Sequence, residues 1–247
     1  MTFDAHPRSS LIVALDFDSL SSAVKFAKQV ADLVGLFKIG SQLFTAAGPA
    51  VVKEISALGP GIFLDLKFHD IPNTVAGAVL SAAAMNGVQL VNVHALGGTA
   101  MMKAASQAIS AGVPLGMDRP RLLAVTILTS MDQKAIREVG IGGSPKSRVP
   151  KLAKLAKSAG VDGVVASVQE AKAIRKACGR DFLIVTPGVR LKEQDSRTKG
   201  DDQARTATPT EAIRAGADYI VVGRPILAAQ DPRAAAQSVV DEIAAAK

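Results

Sequence analysis

Residues 11–22 read LIVALDFDSLSS. The first half, LIVALD, is a short apolar run without polar alternation. That is the pattern of a strand buried on both faces, as parallel strands are when helices cover them. The second half turns without a glycine, and SLSSAVKFAKQVADLVG, from Ser19, then spaces its apolar residues as an amphipathic helix does. Ser19 is placed to cap that helix and Gly35 to close it. A doubly wound dinucleotide-binding sheet would carry a glycine-rich fingerprint at this first strand-to-helix turn. Its absence favours the other repeated βα architecture, the closed barrel.

Moving outward, the same alternation recurs along the chain. Apolar runs follow at LFKIG from Leu36, IFLDLK from Ile62, LVNVHA from Leu90, LLAVTILT from Leu122, VDGVVAS from Val161, FLIVTPG from Phe182 and YIVVG from Tyr219. Helical patterns such as SRVPKLAKLAKSAG separate them, the last closing at Gly160. Eight βα units in 247 residues fit a (β/α)8 TIM barrel. The expectation is one domain over residues 1–247, with residues 1–10 a polar N-terminal tail. A doubly wound sheet is the alternative.

Composition narrows the function. No stretch reaches the roughly 20 apolar residues of a membrane span, and the Ala-rich run from Val75 to Met85 reads as a buried helix. MTFDAHPRSS has no apolar core and is no secretory signal. The single cysteine, Cys178, excludes an internal disulfide and a cysteine-based metal cluster, so a reducing, cytoplasmic setting is expected. It sits in AIRKACGR and reads as a small buried filler. The net charge of +7 invites a nucleic-acid reading. The basic residues are scattered, however, and with no Trp and one Tyr platforms for stacking bases are scarce. An anionic small molecule explains the charge at least as well. Neither a nucleic-acid nor a membrane partner is expected.

In a barrel, polar residues at strand C-termini line one mouth. Here these are Asp16, Lys38, Asp65, Lys67, His94, Thr129, Ser130, Arg190 and Arg224. The densest stretch is FLDLKFHDIPNT, residues 63–74. Alternation along a strand puts Asp65 and Lys67 on one side, and Lys38 at the end of the neighbouring strand converges on them. Nearby carboxylates favour the ammonium form of a lysine. Lys67 is thus a candidate acid; an amine nucleophile would want apolar or cationic surroundings. The plainer alternatives are a structural ion pair and, for Asp70, a helix cap. Three dispersed histidines give no metal-ligand spacing. His94 and His69 read as structural, and His6 lies in the tail.

The seventh run ends in PGVR and is followed by LKEQDSRTKGDDQARTATP, a long polar segment of the kind that serves as a lid or binding loop. The eighth ends in VVGRPI. Gly223 would let a ligand approach the backbone, and Arg224 could fork onto phosphate oxygens. Loops after strands seven and eight often hold phosphate in barrels. A surface loop with an unrelated arginine is the alternative. GVPLGMDRP, before the fifth strand, reads as a surface loop.

Taken together, ALDFDS, FKIG, DLKFHDIPNT, VNVHALGG, VTILTSM, TPGVR, DDQARTATP and VVGRPI resemble the orotidine 5′-phosphate decarboxylases of the bacterial type. The resemblance runs from Leu11 to the last helix. It implies a dimeric (β/α)8 barrel that converts orotidine 5′-phosphate to UMP and carbon dioxide in pyrimidine biosynthesis, without metal or organic cofactor. It further implies that Lys67 gives a proton to C6, that Asp65 lies near the substrate carboxylate, and that Lys38 and Asp16 bind the ribose. Asp70 would reach into the neighbouring subunit's site. Thr129 and Ser130 would contact the pyrimidine, and Arg190, Gln203, Gly223 and Arg224 the phosphate. Ile71, Thr74 and Pro187 fall within the same motifs as substrate-binding positions. The closest rival is a magnesium-dependent sugar-phosphate decarboxylase or aldolase on a related barrel sharing the Asp-x-Lys-x-x-Asp core. A binding-only barrel is the rival from another class, and it would not need Lys67 between two acids.

Overall fold

A computed structural model describes residues 6–113, 116, 118–191 and 206–247. Eight strands, β1 to β8, span Leu11–Ala14, Leu36–Gly40, Gly61–Phe68, Val88–His94, Arg121–Val125, Gly163–Val165, Leu183–Thr186 and Tyr219–Val222. Each pairs in parallel with the next, and β8 pairs with β1, so the sheet closes in sequence order. This is the TIM barrel expected from the eight runs, and closure rules out the doubly wound alternative. No helix of the described residues is long and apolar enough to cross a membrane.

Side-chain alternation sorts each strand into two cores. Ile12, Ala14, Leu36, Phe63, Leu90, Leu123, Leu183, Val185 and Val221 fill the barrel. Their neighbours, such as Val13, Phe37, Leu64, Val91 and Ile184, face the helices and join the larger outer core. The inward positions continue two residues at a time toward the strand C-termini. Ile12 and Ala14 lead to Asp16, Leu36 to Lys38, Phe63 to Asp65, and Leu90 to Asn92 and His94. An apolar floor therefore carries a polar upper layer on β1 to β4.

The opposite end of the barrel is tied by a repeated device. Asp162 immediately precedes β6; its N–H donates to the Leu122 carbonyl at 2.9 Å, and its Oδ2 accepts the Leu122 N–H at 2.8 Å. Asp218 immediately precedes β8 and does the same with Ile184, at 2.9 and 2.7 Å. Arginines complete each clamp: Arg119 and Arg121 meet Asp162 Oδ1 at 3.0 and 3.4 Å, and Arg175 meets Asp218 Oδ2 at 2.7 Å. Burial pushes the Asp218 pKa up despite the Ile184 N–H and Arg175. The clamp ties the start of β8 to β7 through backbone and side chain together.

Local expectations fare unevenly. Ser19 caps the helix Leu20–Val30 by accepting the Ser22 N–H, and Cys178 is 2% exposed at the end of the helix Val168–Cys178. Of the expected polar tail, residues 1–5 lie outside the described ones. Pro7–Ser10 form a 3-10 turn, Ser10 is buried, and the Ser9 backbone lies so close to Gly35 that a Cβ there would sit 2.7 Å from the Ser9 carbonyl oxygen. Lys38 does not end its strand; it lies mid-β2, between Ala14 and Phe63. Asp70 is not the cap of the helix Pro72–Ala83, whose N-cap is Ile71.

Candidate active site

At the C-terminal mouth, charges alternate along a chain of contacts. Asp16 Oδ1 lies 3.1 Å from Lys38 Nζ, Lys38 Nζ lies 3.4 Å from Asp65 Oδ2, and Asp65 Oδ1 lies 2.7 Å from Lys67 Nζ. Asp65 is buried, whereas the Lys67 side chain is 37% exposed and reaches the opening. Burial opposes the Lys38 charge, but Asp65 and Asp16 outweigh it and its pKa is raised. The mouth is kept open beside these groups by glycine. A Cβ on Gly40 would stand 3.1 Å from Lys38 Nζ, and one on Gly223 3.4 Å from Asp16 Oδ2.

Simple alternation does not deliver Lys67. Across the β3–β4 pair, Leu64 faces Val91 and Phe68 faces Val93, so four steps on β3 oppose two on β4. The surplus is a bulge, and within it Lys67 takes φ +52°, the one positive φ on a non-glycine among the described residues. Such backbone is strained for a lysine and persists only where its surroundings hold it. Asn92, fully buried on β4, does this. Its Oδ1 accepts the Lys67 N–H at 2.8 Å, and its Nδ2 donates to Asp65 Oδ1 at 2.6 Å. The sequence reading missed Asn92. The available signal was an amide inside the apolar run LVNVHA, since a buried polar group requires partners.

The remaining mouth residues fall into three groups. His94 ends β4 with its ring stacked on His69, centroids 5.3 Å apart. Its Nδ1 is buried without a hydrogen-bond partner among the described residues. Burial, then the His69 and Lys67 charges, hold His94 below the ordinary histidine value. Asp70, Ile71 and Thr74 are exposed beyond β3. The Asp70 carboxylate accepts the Ile71 N–H at 2.6 Å and does not join Lys67 within its own chain. Thr129 is buried and Ser130 exposed in the turn region beyond β5.

After β7 the chain passes Pro187 and forms a bridge between Val189 and Ala207. The Arg190 N–H donates to the Ala207 carbonyl at 2.9 Å, so the long polar segment leaves and returns at one place. Gln203 lies outside the described residues. Beside this foot, β8 ends at Val222, Gly223 forms the N-cap, and Arg224 opens the short helix Arg224–Leu227. The expected phosphate residues Arg190, Gly223 and Arg224 thus follow two paired strands.

A cavity of about 1170 Å³ opens at the other end of the barrel, among Arg119, Arg121, Asp162 and Tyr219. Its Asp162 is already engaged in the clamp to Leu122, Arg119 and Arg121. The convergence of an exposed lysine with a buried carboxylate favours the C-terminal mouth as the reacting site. Among the described residues, no three His, Cys, Asp or Glu side chains group as metal ligands.

Comparison with known proteins agrees with this geometry. The pattern of the Orotidine 5′-phosphate decarboxylase / HUMPS family matches residues 9–239. An orotidine 5′-phosphate decarboxylase of Syntrophotalea carbinolica is 54% identical over 240 residues, covering 97% of this chain and 96% of the relative. One from Geobacter sp. (strain M21) is 53% identical over 235 residues, covering 95% and 96%. The crystal structure of orotidine 5′-phosphate decarboxylase from Lactobacillus acidophilus superposes with a TM-score of 0.82 at 41% identity, covering 94% of this chain and 98% of that one.

Proposed function

This chain belongs to the Orotidine 5′-phosphate decarboxylase / HUMPS family, and from that premise we propose how its barrel mouth works. The enzyme is a carboxy-lyase that converts orotidine 5′-phosphate to UMP and carbon dioxide. One observation carries the mechanism: a buried Asp65 holds the Lys67 ammonium at 2.7 Å while leaving it open to the mouth.

The substrate binds with its C6 carboxylate against Asp65 and Lys67. The C6–carboxyl bond breaks, carbon dioxide leaves, and the electron pair stays on C6 in the ring plane, where no π system delocalises it. The fixed Lys67 ammonium opposes that charge as it develops, in surroundings that need no reorganisation. Lys67 Nζ then gives its proton to C6, forming UMP, and the neutral amine regains a proton from solvent. The Asp65 charge repels the substrate carboxylate, a repulsion that ends as carbon dioxide departs. Lys38 and Asp16 bind the ribose. Thr129 and Ser130 contact the base, with Ile71, Thr74 and Pro187 completing the pocket. Arg190, Gln203, Gly223 and Arg224 take the phosphate; its charge suits both the arginines and the N-terminus of the short helix after β8.

The same proposal makes the enzyme a cytoplasmic homodimer in which Asp70 completes the partner's site. Supporting this, Asp70 is exposed, bonded to the Ile71 N–H rather than paired with its own Lys67, and adjacent to Ile71, an apolar side chain 67% exposed. The reaction proceeds without metal. Purified protein in excess EDTA should release carbon dioxide from orotidine 5′-phosphate at its full rate. Activity appearing only when magnesium is added would transfer the assignment to the sugar-phosphate enzymes.

A further inference from the structure

We propose that Asn92 is a positioning residue for the decarboxylation, setting where the Lys67 ammonium stands and which way Asp65 faces; this rests on Lys67 being the proton donor. Three observations converge on one amide. The bulge removes Lys67 from the regular ladder, so its N–H needs another acceptor, and Asn92 Oδ1 supplies it at 2.8 Å. Lys67 is held at φ +52°, a conformation a lysine leaves readily unless its backbone is tied. Asp65 Oδ1 receives Asn92 Nδ2 at 2.6 Å alongside Lys67 Nζ at 2.7 Å, so one oxygen is fixed from two sides.

The amide is the group that fits. It must accept from a backbone N–H and donate to a carboxylate at once, in full burial, and asparagine carries both functions on one short side chain. A carboxylate would keep the acceptor but set a second negative charge against Asp65. A leucine would keep the volume and provide neither bond. Asn92 lies behind its two partners and touches the substrate through neither atom. Its effect should therefore appear in the barrier and scarcely in affinity, because a small misplacement of a reacting group reduces rate steeply.

The test uses Asn92→Asp, whose side chain has the shape of the amide. While ionised, the introduced carboxyl repels Asp65. Once protonated, its O–H donates to Asp65 and its carbonyl accepts from the Lys67 N–H, restoring both bonds. At about pH 8 kcat should fall about 100-fold with KM for orotidine 5′-phosphate within about threefold, and the ratio of variant to native kcat should climb about tenfold toward pH 5.5 as the carboxyl pair takes up a proton. Asn92→Ser, too short to span both partners, should show the same loss in kcat with no recovery in acid. A ratio that stays flat with pH, a loss confined to KM, or failure of both variants to fold would each overturn the proposal, making Asn92 a residue of the fold alone. Native enzyme and Lys67→Ala are assayed in parallel. An active Lys67→Ala would remove the donor and this inference with it, whereas an inactive Lys67→Ala beside a native-like Asn92→Asp would remove this inference alone.

Discussion

Asp65 and Asp162 are both carboxylates set between two cations, at opposite ends of one barrel. Asp162 holds a strand amide and two arginines, and its backbone is bonded to the same residue its carboxylate grips. Asp65 accepts only from side chains among the described residues, two lysines and an amide. The first arrangement immobilises strands and leaves no proton to give. The second immobilises a lysine and leaves it open. The two charge clusters differ in what the carboxylate holds: backbone in one case, a lysine open to the mouth in the other.

The largest effect should come from breaking the second arrangement. Lys67→Ala should lower kcat by roughly 10⁵-fold, the product of a lost general acid and lost charge stabilisation. The protein should still fold and bind UMP; turnover near native would place Asp65 and Lys67 with the structural clamps. Mixing that variant with Asp70→Ala under subunit exchange should restore activity, since one site of each mixed dimer would hold both native residues. No recovery despite demonstrated exchange would return Asp70 to its own chain.

Next comes the remote phosphate. Binding energy gathered far from C6 can close the site and lower the barrier there. Arg224→Ala should reduce kcat/KM for orotidine 5′-phosphate by about 10²- to 10³-fold, as expected for a charge-assisted contact in a closed site. A truncated substrate lacking phosphate should change by no more than about threefold, because the acid at Lys67 is untouched. Equal losses on both substrates would give Arg224 a part in the fold or the chemistry.

The clamp should behave in the opposite way. Asp162→Ala should cost about 2 kcal/mol and lower Tm by about 5 °C, because the Leu122 N–H loses its partner. Activity per folded molecule should stay within about twofold, the site being at the far end of the barrel. A large fall in kcat with unchanged Tm would erase the distinction between the two ends.

The smallest effect concerns pH. His94 is held below its ordinary value, so on acidification the unfolded chain takes up the proton first. The stability contributed by the neutral ring is complete above about pH 6.5 and is lost progressively as pH falls below it. His94→Asn should therefore lose less Tm than the native protein between about pH 7.5 and pH 5.5. Parallel melting curves would show that the ring is not held neutral.

The fold was legible because a parallel barrel writes itself as apolar runs at near-regular spacing, and the turn at residues 15–19 carries none of the glycines of the rival sheet. The pairing of Asp65 with Lys67 was legible because charges seldom stand at the end of a buried run without reason. Asn92 was not, since an amide between valines resembles a local fault until its two partners, 25 and 27 residues away, are in view. The bulge was hidden for the same reason: a positive φ on lysine follows from a neighbouring strand. Asp162 and Asp218 were overlooked because an aspartate just before a strand looks like an ordinary turn residue. The turn at Pro7–Ser10 was not legible, because the close approach of Ser9 to Gly35 joins residues far apart in the chain.

The sole cysteine offers a different use of the molecule. Cys178 is packed away at the end of its helix, with its carbonyl held by Lys157 Nζ at 2.7 Å and burial pushing its thiol pKa up. A thiol so little exposed reacts slowly with a labelling reagent until the packing around it loosens, so the labelling rate is a clock for local breathing. It lines the cavity at the end of the barrel opposite the reacting mouth. Comparing the clock with and without UMP would therefore show how far a ligand at one end is felt at the other, in a protein that needs no added reporter.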